Sequence, residues 1–300
     1  MHTSGSALLT IIERARYLLE EPAGDTQYSD AFIARQIIPA EYTNVMNSIQ
    51  LGQENPIVHT VTIPIVEGTS YYQLPPCIRQ IWRLGKIDDE GHITHDWFPR
   101  GDGSPIGKGW AIEGNMLSFR PIPQNDEDWI LWFIPSVDYC PHKGDGTVIG
   151  SARTTIQLDT SPSIGIMDQR PNAYVGAVLR IINSGTPWQE RIIDTHDVST
   201  NRVTVKIPFD STNYPSAATS ITYEIAPIGW QGLWNAIAIK VAFQMGVARN
   251  VSEKKLSLLD GQYRWAIKAI RDQLGNMQGR RTKGFDAMTF DSIDFQRTQW

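Results

Sequence analysis

The sequence predicts an α+β protein, a helical bundle built from the two ends of the chain with antiparallel β modules inserted between them. Three observations predict this. Apolar residues recur at helical spacing at both ends of the chain. The middle is rich in β-branched residues with local alternation, broken by turn residues. No strand–helix–strand alternation is visible, so no parallel sheet is expected. The units read as 1–55 for the first part of the helical core, 56–140 for an antiparallel β module, and 141–227 for a small β-barrel or sandwich. Residues 228–275 form the second part of the helical core, and 276–300 an extended C-terminal arm.

The first helix starts at Ser6, a suitable N-cap, and carries Leu8, Ile11, Ile12, Ala15, Leu18 and Leu19 on one face until Pro22 ends it. A second helix begins near Ser29 and Asp30 with Phe32, Ile33, Ile37 and Ile38. Pro39 is expected to break or kink it, and Tyr42, Val45, Met46 and Ile49 continue the helical spacing. From Pro56 the pattern changes. Val58, Val61, Ile63 and Ile65 read as strand, residues 67–69 as a turn, and 78–84 as another strand. Strands at 110–112, 116–119 and 129–134 complete a small antiparallel sheet. In the second β module the candidate strands are 154–158, 174–182, 190–195, 202–207 and 221–225, a spacing typical of a small barrel or sandwich. Helix returns near Trp230. Leu233, Trp234, Ile237, Val241, Met245 and Ala248 mark one face. Ser252 and Glu253 then open a last helix striped with Leu256, Leu259, Tyr263, Ala266, Ile270 and Leu274.

A chain of 300 residues that is 41% apolar and 20% charged can bury a large core without disulfides. Its two cysteines, Cys77 and Cys140, form no Cys-x-x-Cys pair and are expected to be buried thiols of a reducing compartment. Neither the N-terminal run, with Glu13, Arg14 and Arg16, nor residues 233–248, with Asn235, Lys240 and Gln244, has the composition of a membrane span. Net charge is −5 but uneven. Residues 228–300 hold 11 Lys and Arg against 6 Asp and Glu, and the rest holds 16 against 26. An acidic body with a basic C-terminal part points to two different partners.

No pattern for catalysis or for a cofactor emerges. Residues 101–109 resemble a phosphate-binding loop, but Asp102 stands where the first glycine is required and Gly109 where a hydroxyl must hold magnesium. Pro105 also removes an amide from the cradle. His92 and His95 lie beside Asp88, Asp89 and Glu90 in a polar hairpin tip, without metal-ligand spacing. No Gly-x-Ser-x-Gly elbow occurs. The expectation is a protein that is not an enzyme and holds no metal.

The last residues differ from the rest. Arg280, Arg281 and Lys283 are glycine-flanked, and beyond them Phe285, Phe290, Phe295 and Trp300 recur every five residues. Five matches neither helix nor strand, and a solvated tail has nothing against which to bury four large aromatics. The segment therefore reads as an arm that packs on another surface.

Several stretches resemble one family. The run Thr69-Ser70-Tyr71-Tyr72-Gln73-Leu74-Pro75-Pro76-Cys77-Ile78-Arg79-Gln80-Ile81-Trp82, behind two N-terminal helices, is similar to head-to-tail adaptor (connector, head completion) proteins of tailed bacteriophages. So is Trp110-Ala111-Ile112-Glu113-Gly114-Asn115-Met116-Leu117 followed by Arg120-Pro121-Ile122-Pro123. Residues 189–194 and 223–225 are similar to small β modules of phage tail and connector proteins. The resemblance implies a structural virion protein, assembled in the host cytoplasm. Copies would form a ring, commonly of twelve, beneath the portal protein ring. That ring would extend the DNA channel and receive tail, nozzle or tail-fibre proteins. It also implies that the C-terminal segment docks on the portal, through Arg280, Arg281, Lys283, Phe285, Phe290, Phe295 and Trp300. The acidic body would suit a channel in which repulsion keeps DNA sliding. The other reading is a carbohydrate- or receptor-binding tail or fibre module that uses the β modules and surface tryptophans.

Overall fold

A computed structural model describes residues 6–21, 27–50, 59–87, 93–97, 109–114, 116–182, 189–209, 219–226 and 231–279. The protein is mixed helix and strand, and every strand pairing is antiparallel.

Helix α1 spans Ala7–Leu19, capped by the Ser6 hydroxyl, which accepts the Leu9 amide at 3.2 Å. It buries Ala7, Leu8, Ile11, Ile12, Ala15 and Leu19, the stripe that the spacing predicts save for Leu18, which is only partly covered. Glu20 adopts the left-handed conformation that ends the helix, and the Glu20 and Glu21 amides return to the Tyr17 and Arg16 carbonyls. The second helical stretch does not break at Pro39. Instead α2 (Asp30–Phe32) passes through one π-helical turn (Ile33–Ile37) into α3 (Ile38–Gln50). Proline lacks an amide hydrogen and its ring crowds the carbonyl four residues back. The wider turn, in which the Ile38 amide reaches Ile33, relieves that crowding just before the proline.

Helix α4 (Gln231–Ala248) is buried on nearly every side, not on the single face its sequence suggested. Ala236, Ala238, Ile239 and Ala242 are covered as well as Leu233, Ile237, Val241 and Met245, whereas Ala248 is exposed. The reason is its position: α1, α3 and the long α5 (Glu253–Gly279) all lie against it. Helix α5 continues four residues past Gly275, into the segment read as the arm.

The first β region divides into two sheets where one was expected. Strands β1 (His59–Ile65), β7 (Glu127–Pro135), β3 (Ile78–Ile87) and β4 (Ile93–Trp97) form one sheet in that order. Strands β2 (Tyr71–Gln73), β6 (Met116–Arg120) and β5 (Gly109–Glu113) form the other. Alternation on β1 sends His59, Val61, Ile63 and Ile65 into the core.

The second region closes into a six-stranded barrel. Strands β8 (His142–Ile149), β14 (Thr219–Ala226), β11 (Val178–Ile181), β12 (Gln189–Asp197), β13 (Arg202–Val205) and β9 (Thr155–Gln157) follow one another around it. The pair Val148–Ile156 on β8 and β9 completes the circle, and β10 (Ile164–Gly165) pairs with β8 outside it. Closure removes the open edges that a six-stranded sheet would otherwise present. Sequence reading missed β8 because Gly144 and Gly146 interrupt it. The barrel requires the second of these, since a Cβ at Gly146 would sit 2.6 Å from the Gln157 carbonyl oxygen and 2.9 Å from the Tyr223 ring. The expected strand 174–182 is shorter, because residues 171–176 form turns that bring Gly176 to φ +80°.

Buried side chains from helices, sheets and barrel form a single contiguous cluster. Gly176 packs closely against the four-stranded sheet and the residue before β3. A Cβ there would lie 2.7 Å from Cys77 Sγ and 2.7 Å from the Phe133 ring. Gly176→Ala adds both overpacking and left-handed strain, and is expected to cost roughly 2–4 kcal/mol. A urea-denaturation midpoint equal to wild type would show that the junction is looser than described.

Candidate functional site

The arm residues Arg280, Arg281, Lys283, Phe285, Phe290, Phe295 and Trp300 lie outside the described residues, as do 101–108 and His92. His95 sits on β4, paired in register with Lys86. Among the described residues no group of three or more His, Cys, Asp or Glu is arranged to hold a metal ion. No described helix is long and apolar enough to cross a membrane. Cys77 is buried as expected, but Cys140 is only partly so, and burial pushes both thiols up, away from the nucleophilic thiolate.

Three arrangements were not legible from motifs. The first is an ionic joint between barrel and helices. On β14, Ile221, Tyr223 and Ile225 point into the barrel, so Glu224 points out. It is nevertheless buried, because the start of α1 covers it. Its carboxylate accepts the Ser6 hydroxyl, the Ala7 amide at 2.8 Å and the Leu8 amide at 3.2 Å. These are donors that a helix leaves unsatisfied at its N-terminus, where the dipole also favours negative charge. Arg180, opposite Glu224 on β11, lies 3.3 Å away, pairs with Glu190 on β12, and stacks on Trp234 of α4 at 4.5 Å. Burial pushes the Glu224 carboxyl up, and Arg180, Ser6 and the two amides pull it back. At the other end of α1, Glu21 is enclosed by Arg16 at 2.9 Å and by Arg249, just past α4, at 2.7 Å, and Arg16 also reaches Asp30 at 2.6 Å.

The second is a cluster of histidines and tyrosines within the barrel region. His142 Nε2 lies 3.1 Å from the Tyr223 hydroxyl, which accepts the Asp159 amide and so turns its proton to the ring. The Nδ1–H then donates to the Cys140 carbonyl at 3.2 Å. Both nitrogens of His196 lack a partner among the described residues, and its ring packs on Tyr174 at 4.5 Å. Burial drives the pKa of His142 and of His59 down to about 4. These are neutral, structural histidines.

The third is a surface. Beside the buried stripe of α5, Leu258 and Trp265 stand two turns apart on the same side and are 61% and 71% exposed. They edge a groove of about 910 Å³ whose other walls are Leu18 of α1 and Ile239 of α4. A smaller cavity of about 390 Å³ between the two sheets is lined by Phe119 and Trp129, whose rings are buried and offer no face for a sugar to stack on. The spacing of Leu258 and Trp265, off the main stripe, was the one signal in the sequence for this surface.

No protein-family model matches the sequence, and no curated protein matches it.

Removing one side of the ionic joint strands buried charge. Glu224→Leu is expected to lower stability by roughly 3–5 kcal/mol. The pair Glu224→Leu with Arg180→Met should lose less than Glu224→Leu alone, as compared by urea midpoints. Acid offers a separate check. The folded-state pKa of His59 and His142 is depressed below the ordinary 6.5, so unfolded chains bind more protons as pH falls. Their contribution is complete above pH 6.5 and declines toward pH 4, by roughly 2 kcal/mol per ring at pH 5. His59→Phe should flatten the fall in unfolding free energy between pH 7.5 and pH 5.

Proposed function

We propose that this chain is a ring-forming head-to-tail adaptor of a tailed bacteriophage, a structural component of the virion with no catalytic role. The observation that carries the reading is the division of labour along the chain. Helices from both ends pack around α4, and among the described residues the strands lie between them. In this reading α1, α3, α4 and α5 are the bundle that holds the ring together, and the sheets and barrel are the platform offered to tail, nozzle or tail-fibre proteins. The stretch 69–82, on which the resemblance rests, forms β2, a turn and the start of β3. The arm from Arg280 to Trp300 then docks on the portal ring, with its aromatics as anchors and its basic residues as steering charge. A ring of twelve, coaxial with the portal, extends the DNA channel.

The test is negative-stain microscopy of the full chain mixed with portal rings from virions. A ring of copies capping the portal is expected. A stable small oligomer that ignores the portal would sink the adaptor reading. Phe290→Ala with Trp300→Ala should weaken portal binding at least about 30-fold, the scale of an anchor's loss.

A further inference from the structure

The groove between α1, α4 and α5 is apolar at its sides and basic at its rim. Leu18, Ile239, Leu258 and Trp265 supply the apolar surface. Arg14 and Lys254 stand beside them, exposed, and among the described residues no carboxylate pairs with either. Lys255, also at the rim, is held by Glu20 at 3.2 Å. At the floor, the Asn235 side-chain oxygen is shielded from water and has no donor among the described residues. That oxygen is closed off from solvent, so a ligand in the groove meets the apolar walls and the two basic groups. The ligand that fits is therefore an extended peptide with large apolar side chains and negative charge.

The chain itself contains one. Residues 285–295 carry Phe285, Met288, Phe290, Ile293 and Phe295 together with Asp286, Asp291 and Asp294, and no Lys or Arg. The lengths agree. Helix α5 ends at Gly279, so Trp265 lies about 21 Å and Leu258 about 32 Å back along its axis at about 1.5 Å per residue. Extended chain at about 3.4 Å per residue brings Phe285 to about 20 Å and Phe290 to about 37 Å from the same point. A single reversal after α5 thus places one phenylalanine near Trp265 and the next near Leu258. The short connector also gives the segment a high effective concentration at its own groove, which favours it over the same segment of another copy.

We propose that residues 285–295 lie in the groove of their own subunit, with the aspartates facing Arg14 and Lys254. The inference goes beyond the adaptor reading and does not require it. If that reading holds, the docking arm is stored against its own subunit before the portal takes it.

The experiment uses full-length protein carrying Leu258→Cys and Phe290→Cys, oxidised over a hundredfold range of concentration. A crosslink within one chain, with a yield independent of concentration, is expected. Crosslinked dimers whose yield rises with concentration would overturn the proposal in favour of exchange between copies. Hydrogen exchange gives the second measurement, on protein with native residues at 258 and 290. Reversing Asp286, Asp291 and Asp294 to Lys should speed exchange in residues 252–265 at least tenfold. No crosslink and unchanged exchange would overturn the proposal entirely, whatever the portal-binding result.

Discussion

The carboxylate of Glu224 ties the two halves of the molecule together. It belongs to the barrel by backbone and to the helices by hydrogen bonding, since it fills the N-terminal cap of α1 from β14. A carboxylate in that position is tolerated only because everything around it is arranged for negative charge. The helix supplies free amides and its dipole, Ser6 supplies a hydroxyl, and Arg180 supplies a full positive charge. Arg180 is in turn kept by Glu190 and by the face of Trp234, so the joint extends from β12 through β11 and β14 to α1 and α4. Such a joint fixes the orientation of the helices on the barrel, because hydrogen bonds are directional where apolar packing is not.

The remaining junctions follow the same logic of close fit. At the far end of α1, Glu21 meets Arg16 of that helix and Arg249, the residue that follows α4. Gly176 lets the barrel approach the four-stranded sheet to within contact of Cys77 and Phe133. Helices, barrel and sheet therefore share one apolar interior, with neutral His59 and His142 inside it.

A body joined in this way suits a part that transmits position between two partners. The helical side offers an apolar groove where Arg14 and Lys254 have no carboxylate partner among the described residues, and the sequence beyond α5 is rich in aspartate. The adaptor reading and the proposal of a stored arm each stand on their own observation. The first rests on how helices and strands divide the chain, the second on the chemistry of one groove.

Periodicity alone determined much of this architecture. Ser6 and the stripe of α1, the alternation of β1, the stripe of α5 and most barrel strands are local patterns, and local patterns survive without knowledge of the fold. Composition likewise showed the charge asymmetry. Where the sequence misled, the cause was non-local. No strand was read across Gly144 and Gly146, yet β8 runs through both, and barrel closure leaves no room for a side chain at the second. Pro39 read as a break or a kink, and the helix runs on through a π turn just before it. The face of α4 read as a single stripe, but three helices surround it. Arg180 is 44 residues from Glu224 and 10 from Glu190 along the chain and is adjacent to both only by strand register. Sequence determines which segments are helix and strand because those depend on neighbours a few residues away. Only the tertiary structure decides which charges are buried together, because that depends on which strands pair and what covers them.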